Sequence, residues 1–289
     1  MLKAIIKSMR PRQWTKNVFV LAPLVFDRQL TNIDALVRSV AGMLLFCLIS
    51  SCVYILNDIM DVESDRAHPV KKNRPIASGA LPIKTAILIV ILLLILTIPL
   101  SFWLSTAFGI IAVVYFGINF AYSTWLKHIP LIDVLIIAAC YVLRVAAGVV
   151  LITVERFSPW LYIVTTLFAL FIGFGKRRAE LSLFNTGAKT HRRVLEGYTI
   201  PLLDQLITIV SGTTVVAYSL YTFTAPNVPA NHAMMLTIPF ILYGIFRYLW
   251  LISVKSAGGA PEELVFSDRP LQATVALWGL SVLIIFYLF

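Results

Sequence analysis

The stretch NDIMDVESDRAHPVKKNRPIASG, Asn57 to Gly79, follows directly on the apolar run LLFCLISSCVYIL. Its aspartates Asp58, Asp61 and Asp65 are spaced by three and then four residues, which puts all three on one face of an α-helix. Three adjacent carboxylates repel, and one would take up a proton unless a cation relieves the repulsion. Mg²⁺ does this while binding through one or two carboxylates, substrate phosphate oxygens and water. The pattern therefore reads as a clamp for Mg²⁺ and a diphosphate at the polar end of a helix. Asn57 adds a neutral oxygen donor on the same turn. Pro69 and Pro75 are expected to end the helix and stiffen the loop. Lys71 and Arg74 are then placed to fold back onto a phosphate, the arginine as a bidentate fork. The competing reading is a solvated helix end with unrelated charges, which suits Glu63 and Lys72.

The rest of the chain says what kind of helix this is. Of its 289 residues 59% are hydrophobic and 13% charged. That charged share is about half the usual ~25% of a soluble domain. Several apolar runs reach the ~20 residues that cross a bilayer as a helix. Lipid offers no partner to backbone polar groups, so such runs are helical. The expected fold is an all-α integral membrane protein, one domain over 1–289. Its nine transmembrane helices are placed near 13–29, 34–57, 83–103, 107–124, 131–150, 159–177, 201–222, 235–253 and 271–288. The basic stretch 178–200 is expected as the longest loop. Cys47, Cys52 and Cys140 lie in apolar runs with no zinc-ligand or disulfide framework, and read as small buried hydrophobes. The basic N-terminus lacks an A-x-A-like cleavage site and reads as a retained inner flank.

Charge sets the expected orientation. With the N-terminus inside, nineteen of the Lys and Arg residues fall on inner segments, and Arg28, Arg38 and Arg156 on outer ones. The positive-inside rule then gives N-in, C-out. The formal charge of +10 sits on one face and is spread among loops between spans. It matches attraction to anionic lipid and excludes a nucleic-acid footprint.

NDIMDVESDRAHPVKKNRP resembles the first aspartate-rich motif of the UbiA-superfamily intramembrane transferases, N-D-x-x-D-x-x-x-D followed by K-x-x-R-P. AYSTWLKHIPLIDVLIIA, residues 121–138, is similar to that superfamily's Y-S-x-x-L-K-x-x-P-x-x-D stretch. The resemblance implies a helical bundle around a cavity open to the cytoplasmic face and laterally to lipid. It also implies Mg²⁺ held by Asp58, Asp61 and Asp65, and a diphosphate leaving group. One departure is informative. Members that prenylate aromatic acceptors carry a second D-x-x-x-D-like motif after helix 6. This chain has GFGKRRAELSLF there, with Glu180 beside Lys176, Arg177 and Arg178. A cationic cluster suits more phosphate than one diphosphate brings.

GKRRAEL, PRQWTKN near the start and APEELVFSDRPL between the last two spans are similar to the polyprenyl-phosphate phosphoribosyltransferase branch. The implied reaction joins phosphoribosyl pyrophosphate to a polyprenyl, decaprenyl-like, phosphate at the cytoplasmic face of a prokaryotic inner membrane. The nucleophile is already anionic, which fits the lack of an evident His or Glu base. Lys16, Asn17, Lys176, Arg177 and Glu180 are the expected substrate contacts beside Lys71 and Arg74. Topological charge, or an interface anchor beside Trp14, is the plain alternative for them. Arg178 is expected to point elsewhere, since helix neighbours diverge by about 100°. Arg144 lies roughly 16 Å deeper than Asp133 along one helix. A lone arginine at that depth faces a cavity or a partner. The superfamily has an arginine in this helix, so Arg144 is carried over as a substrate contact; Tyr122, which closes the helix before it, is a further candidate contact with plain packing as its alternative. Tyr141 reads as packing, and Asp133 as a tether for a neighbouring cation. Glu262, Glu263, Asp268 and Arg269 form either a lid or a solvated turn. Two other functions compete. An aromatic prenyltransferase would need the missing second aspartate motif. An ion-coupled transporter would place charge near the midplane on broken helices, often with inverted repeats.

Overall fold

In the computed structural model the described residues are 1–68, 70–153, 158–185, 193–254, 264 and 267–288. Pro69, Arg156, Lys189, Arg192, Lys255, Glu262 and Glu263, named above or counted in the charge balance, lie outside them. Among the described residues eight helices are long and apolar enough to cross a membrane. The chain is therefore an all-α integral membrane protein.

The chain divides into two compact units, Met1–Lys127 with Cys140–Glu155, and His128–Ala139 with Arg156–Phe289. The first unit begins with α1 (Leu2–Met9), a 3₁₀ run (Pro11–Leu21) and α2 (Ala22–Phe26). It continues with α3 (Ile33–Met60), α4 (Val62–Ala67), α5 (Ile83–Leu104) and α6 (Thr106–Thr124), and takes in the end of α7 (Ile132–Val149). The second holds the start of α7, then α8 (Pro159–Asn185), α9 (Ile200–Thr224), α10 (Ile238–Ser253) and α11 (Arg269–Leu288).

At the centre of the first unit is α3. Asn32 caps it, the side-chain oxygen accepting from the Ala35 amide at 3.3 Å. It packs against α1, the 3₁₀ run, α5 and α6. Cys52 and Ile55 of α3 meet Ile76, Leu81, Ala86 and Val90 in a buried apolar cluster. The buried hydroxyls of Ser50 and Ser51 turn back on the helix and donate to the Cys47 carbonyl at 3.0 and 2.7 Å. That satisfies them where no water is at hand. The outward residues Leu88, Leu92 and Ile95 of α5 are exposed and apolar, as a lipid-facing surface requires. In the second unit α8 packs on α9, and α10 on α11. Val134, Phe171, Leu203 and Tyr248 anchor its core.

Two element boundaries depart from expectation. The segment expected as one helix over 13–29 is a 3₁₀ run followed by a five-residue α-helix. Pro11 and Pro23 sit at the starts of these two pieces, where a missing N–H is harmless. The helix expected to stop at 177 runs on to Asn185. Phe174, Arg177 and Leu181 are all buried and continue one inward stripe at helical spacing.

A β-carbon on Gly148 of α7 would lie 2.0 Å from the Val20 carbonyl oxygen. Backbone cannot yield as a side-chain tip can. Gly148→Ala is expected to destabilise the protein by roughly 1–3 kcal/mol, read as a lower melting temperature in detergent. An unchanged melting temperature would mean that this approach is looser than described.

Candidate active site

The end of α3 builds the first part of the site. The helix closes at Met60, and Asp61 sits at the junction with α4 rather than inside one continuous helix. The break re-aims the aspartates. Asp58 and Asp65 are buried and turn to the same cation: Arg74 Nη1 lies 3.0 Å from Asp58 Oδ1 and 2.7 Å from Asp65 Oδ2. Asp61, 37% exposed at its side chain, instead takes Lys127 Nζ at 2.7 Å. Asp58 has a second cation, with Arg10 Nη2 2.5 Å from the same Oδ1. The Arg10 guanidinium also stands 5.1 Å from the Tyr54 ring centroid. Asn57 Oδ1 accepts from Ser123 Oγ.

Among the described residues no three His, Cys, Asp or Glu side chains converge on one point. The donor chemistry nevertheless fits Mg²⁺, since Asp58, Asp61, Asp65 and Asn57 offer only hard oxygens. A single guanidinium nitrogen already touches both Asp58 and Asp65, so one cation reaches both. Arg74, expected on a phosphate, is here on the carboxylates. Lys71 is exposed in the turn Lys71–Asn73.

His68 shapes that turn. Its Nδ1 accepts from the amides of Val70 and Lys71 at 3.1 and 3.2 Å, which requires an unprotonated nitrogen. Partial burial first, and then the Lys71 ammonium, hold the imidazole below its ordinary range.

Deeper in the first unit, Arg144 is buried and fully occupied. It donates to Asn17 Oδ1 at 2.8 Å, the Cys140 carbonyl at 2.7 Å and the Tyr115 hydroxyl at 2.7 Å. The rings of Tyr115 and Tyr141 lie 4.9 and 5.5 Å from its guanidinium carbon. Asn17 is buried as well and donates to Cys47 Sγ and Ser50 Oγ. Asn17 and Arg144, expected as separate substrate contacts, are thus partners. Tyr141 also packs edge-on against Phe19 at 5.1 Å between ring centroids. Lys16 and Tyr122 are half-buried.

The second unit gathers the cationic motif differently. Arg177 is 1% exposed, its Nε 2.5 Å from Asp133 Oδ2 and its Nη1 2.5 Å from Glu180 Oε2. Asp133 Oδ1 also accepts from the Tyr198 hydroxyl at 2.7 Å. That hydroxyl in turn accepts from the Leu131 amide at 2.6 Å, at a residue with φ 67°. Burial, and then the bond to Asp133, raise the Tyr198 phenol above its ordinary range and keep it protonated. Arg177 therefore faces carboxylates rather than solvent. Lys176 is half-buried. Arg178 does diverge, to Asp204 at 2.5 Å and the Ile252 carbonyl at 3.1 Å. Asp268 takes Arg247 in a two-point ion pair at 2.8 and 3.1 Å and accepts from the Leu271 amide.

Residues 19–266 match the model of the UbiA prenyltransferase family. The chain belongs to the UbiA prenyltransferase family. Its relatives in that family include the decaprenyl-phosphate phosphoribosyltransferase of Mycolicibacterium smegmatis, 36% identical over 96% of this chain and 91% of the relative. Proteins of the same name from Corynebacterium glutamicum and Mycobacterium tuberculosis are 34% and 32% identical. The match covers 98% of this chain in both cases, and 87% and 94% of the relatives. A UbiA homologue from Archaeoglobus fulgidus, solved with GPP and Mg²⁺, superposes with a TM-score of 0.74 at 18% identity, over 98% of this chain and 99% of the other. At that identity the likeness speaks for the UbiA fold alone.

Against this family background, three participants escaped sequence reasoning. Arg10 and Lys127 were counted only as inner-face charge, and Tyr115 lay unremarked in an apolar run. Lys127 does stand in the Y-S-x-x-L-K stretch, a signal that was available. For Arg10 the neighbouring Pro11 was the only local mark.

Two outcomes are expected. The contacts of His68 are fully present at and above its ordinary pKa and are lost as pH falls through its lower folded-state value, because the folded loop disfavours the protonated imidazole. Diphosphate affinity should therefore hold down to about pH 6.5 and drop below it. In His68→Ala it should start lower and change little; an unaltered pH profile in that variant would remove His68 from the account. Asp133→Ala leaves Arg177 a buried, under-compensated charge and should cost roughly 3–5 kcal/mol, seen as a large fall in melting temperature. A loss under about 1 kcal/mol, the range of exposed pairs, would show the pair to be solvated.

Proposed function

We propose that the chain transfers the 5-phosphoribosyl group of phosphoribosyl pyrophosphate to a polyprenyl phosphate of decaprenyl type, releasing diphosphate. The observation that carries this is the near full-length likeness, at 32 to 36% identity, to three decaprenyl-phosphate phosphoribosyltransferases. The missing second aspartate motif supports it over an aromatic prenyltransferase.

In this reading a lipid phosphate oxygen forms a bond to the anomeric carbon of the ribose. The bond from that carbon to the diphosphate oxygen breaks, and its electron pair leaves with diphosphate. The nucleophile is anionic, so no side chain need remove a proton. The transition state has oxocarbenium character, as in glycosyl transfer. Mg²⁺, when bound, would be held by Asp58, Asp61 and Asp65, with Asn57 beside them, and would supply neutralisation of the leaving diphosphate. Asp58 and Asp65 are held in place by Arg74, and Asp61 by Lys127. Lys71 and Lys16 offer ammonium groups to phosphate oxygens, and Arg74, on Asp58 and Asp65 through Nη1, offers its other N–H groups to the same phosphate. Tyr122 borders the substrate. Arg144 keeps a positive charge at depth and holds Asn17 in place. In the second unit Lys176 is the anion contact, while Arg177 positions Glu180.

The chain acts as one transferase domain over 1–289 in a bacterial inner membrane, with its cavity on the cytoplasmic side. It crosses nine times, N-in and C-out. The ninth crossing is the 3₁₀ run with α2. Eleven residues at about 2.0 Å and five at about 1.5 Å span about 30 Å, the thickness of a hydrocarbon core.

Purified protein with Mg²⁺, phosphoribosyl pyrophosphate and a polyprenyl phosphate should yield a lipid-linked phosphopentose by mass spectrometry. Asp61→Asn should lose roughly 100-fold or more in turnover, while its half-exposed pair with Lys127 predicts a near-native melting temperature. Prenylated hydroxybenzoate from a prenyl diphosphate, with no phosphopentose lipid, would overturn the assignment.

A further inference from the structure

Asp58 is 2% exposed, and its Oδ1 carries two guanidinium groups. Nothing else can bind that oxygen until one of them leaves. The two caps are not equivalent. Arg74 is gripped by two carboxylates, Asp58 and Asp65. Arg10 has one carboxylate and the face of Tyr54, and the two side chains are equally exposed, at 28%, so the difference lies in the number of carboxylates each holds. Arg10 also sits where α1 meets the 3₁₀ run, at φ 53° and ψ 62°, a left-handed conformation costly for any residue with a β-carbon. Few polar contacts tie the strap around it: Lys7 Nζ reaches the Asn73 carbonyl at 3.3 Å, and Ser51 donates to the Met9 carbonyl at 3.1 Å.

We propose that Arg10 is an exchangeable counter-ion. It neutralises Asp58 in the resting protein, and trades that carboxylate for a phosphate oxygen of the donor when the metal and diphosphate arrive. The inference rests on the diphosphate chemistry proposed above and adds a residue to it. Its basis is charge. Arg10 and Arg74 against Asp58 and Asp65 make a neutral group of four. A divalent cation on those carboxylates displaces an arginine, and the freed guanidinium then lies beside the incoming anion, for which its planar fork is matched. The N-terminal α1 thereby couples closure over the donor to occupation of the aspartates, and Arg10 is a specificity residue for a phosphorylated donor.

The test uses the full chain in detergent as wild type, Arg10→Gln and Arg10→Lys. Mn²⁺ alone is titrated by electron paramagnetic resonance, and inorganic diphosphate with Mg²⁺ by calorimetry. Arg10→Gln should bind Mn²⁺ about fivefold tighter, because a competing cation is gone, and diphosphate about tenfold weaker. Arg10→Lys keeps the charge without the fork, so its Mn²⁺ affinity should stay near wild type while its diphosphate affinity falls between the other two. A merely structural role would weaken both ligands together in both variants, and that result, or no change in either, overturns the proposal. Wild-type protein that binds neither Mn²⁺ nor diphosphate would instead remove the functional reading beneath it.

Discussion

Two guanidinium groups converge on one carboxylate oxygen at the end of α3, and much of the first unit is arranged to make that possible. Asp58 and Asp65 are buried, and an isolated buried carboxylate is far too costly to keep ionised. Arg74 answers for both, which dictates the return of the loop after α4 over the helix end. Arg10 answers a second time, and that contact, with Lys7 and the Met9 carbonyl, ties α1 onto the same place. The acid cluster, the proposed chemical centre, is also a reason for the fold around it. Removing a member of such a group exposes the others to uncompensated burial. A divalent cation in place of one guanidinium would keep both carboxylates compensated and leave one positive charge over.

Three of the protein's arginine centres are settled in different ways. Arg74 and Arg10 use carboxylates near the polar end of α3. Arg177 uses Asp133 and Glu180 and is closed from solvent. Arg144 has no carboxylate within ion-pair distance among the described residues; carbonyl, carboxamide and phenol oxygens and two aromatic rings surround it. Neutral acceptors stabilise a guanidinium without cancelling its charge, so Arg144 retains a positive field at depth. A carboxylate-paired arginine, like Arg177, contributes rigidity instead.

Much of this was legible in the chain. The apolar runs placed all eight long helices, because a bilayer demands length and apolarity that few other settings do. The three-and-four spacing of Asp58, Asp61 and Asp65 marked the site, and Asp133 was read as a tether before its partner was known. The N-terminal segment was misjudged because 3₁₀ and α-helix share an apolar composition, and only the prolines hinted at the difference. The end of α8 was placed eight residues early because a run of charges reads as a loop until Arg177 is seen to be buried. Arg10 was invisible because the inner flank is rich in basic residues, and sequence does not say which of them finds a carboxylate.

Composition, periodicity and the local spacing of acids were settled by the amino-acid sequence itself, since each depends only on neighbours within a few turns. The partnerships were not. Arg10 meets Asp58 across 48 positions and Arg144 meets Asn17 across 127, and each pairing exists only because helices pack closely enough to exclude water between them. A charge in water has no need to choose a partner. A charge enclosed by packed helices must have one, and which one it gets is decided by the tertiary structure.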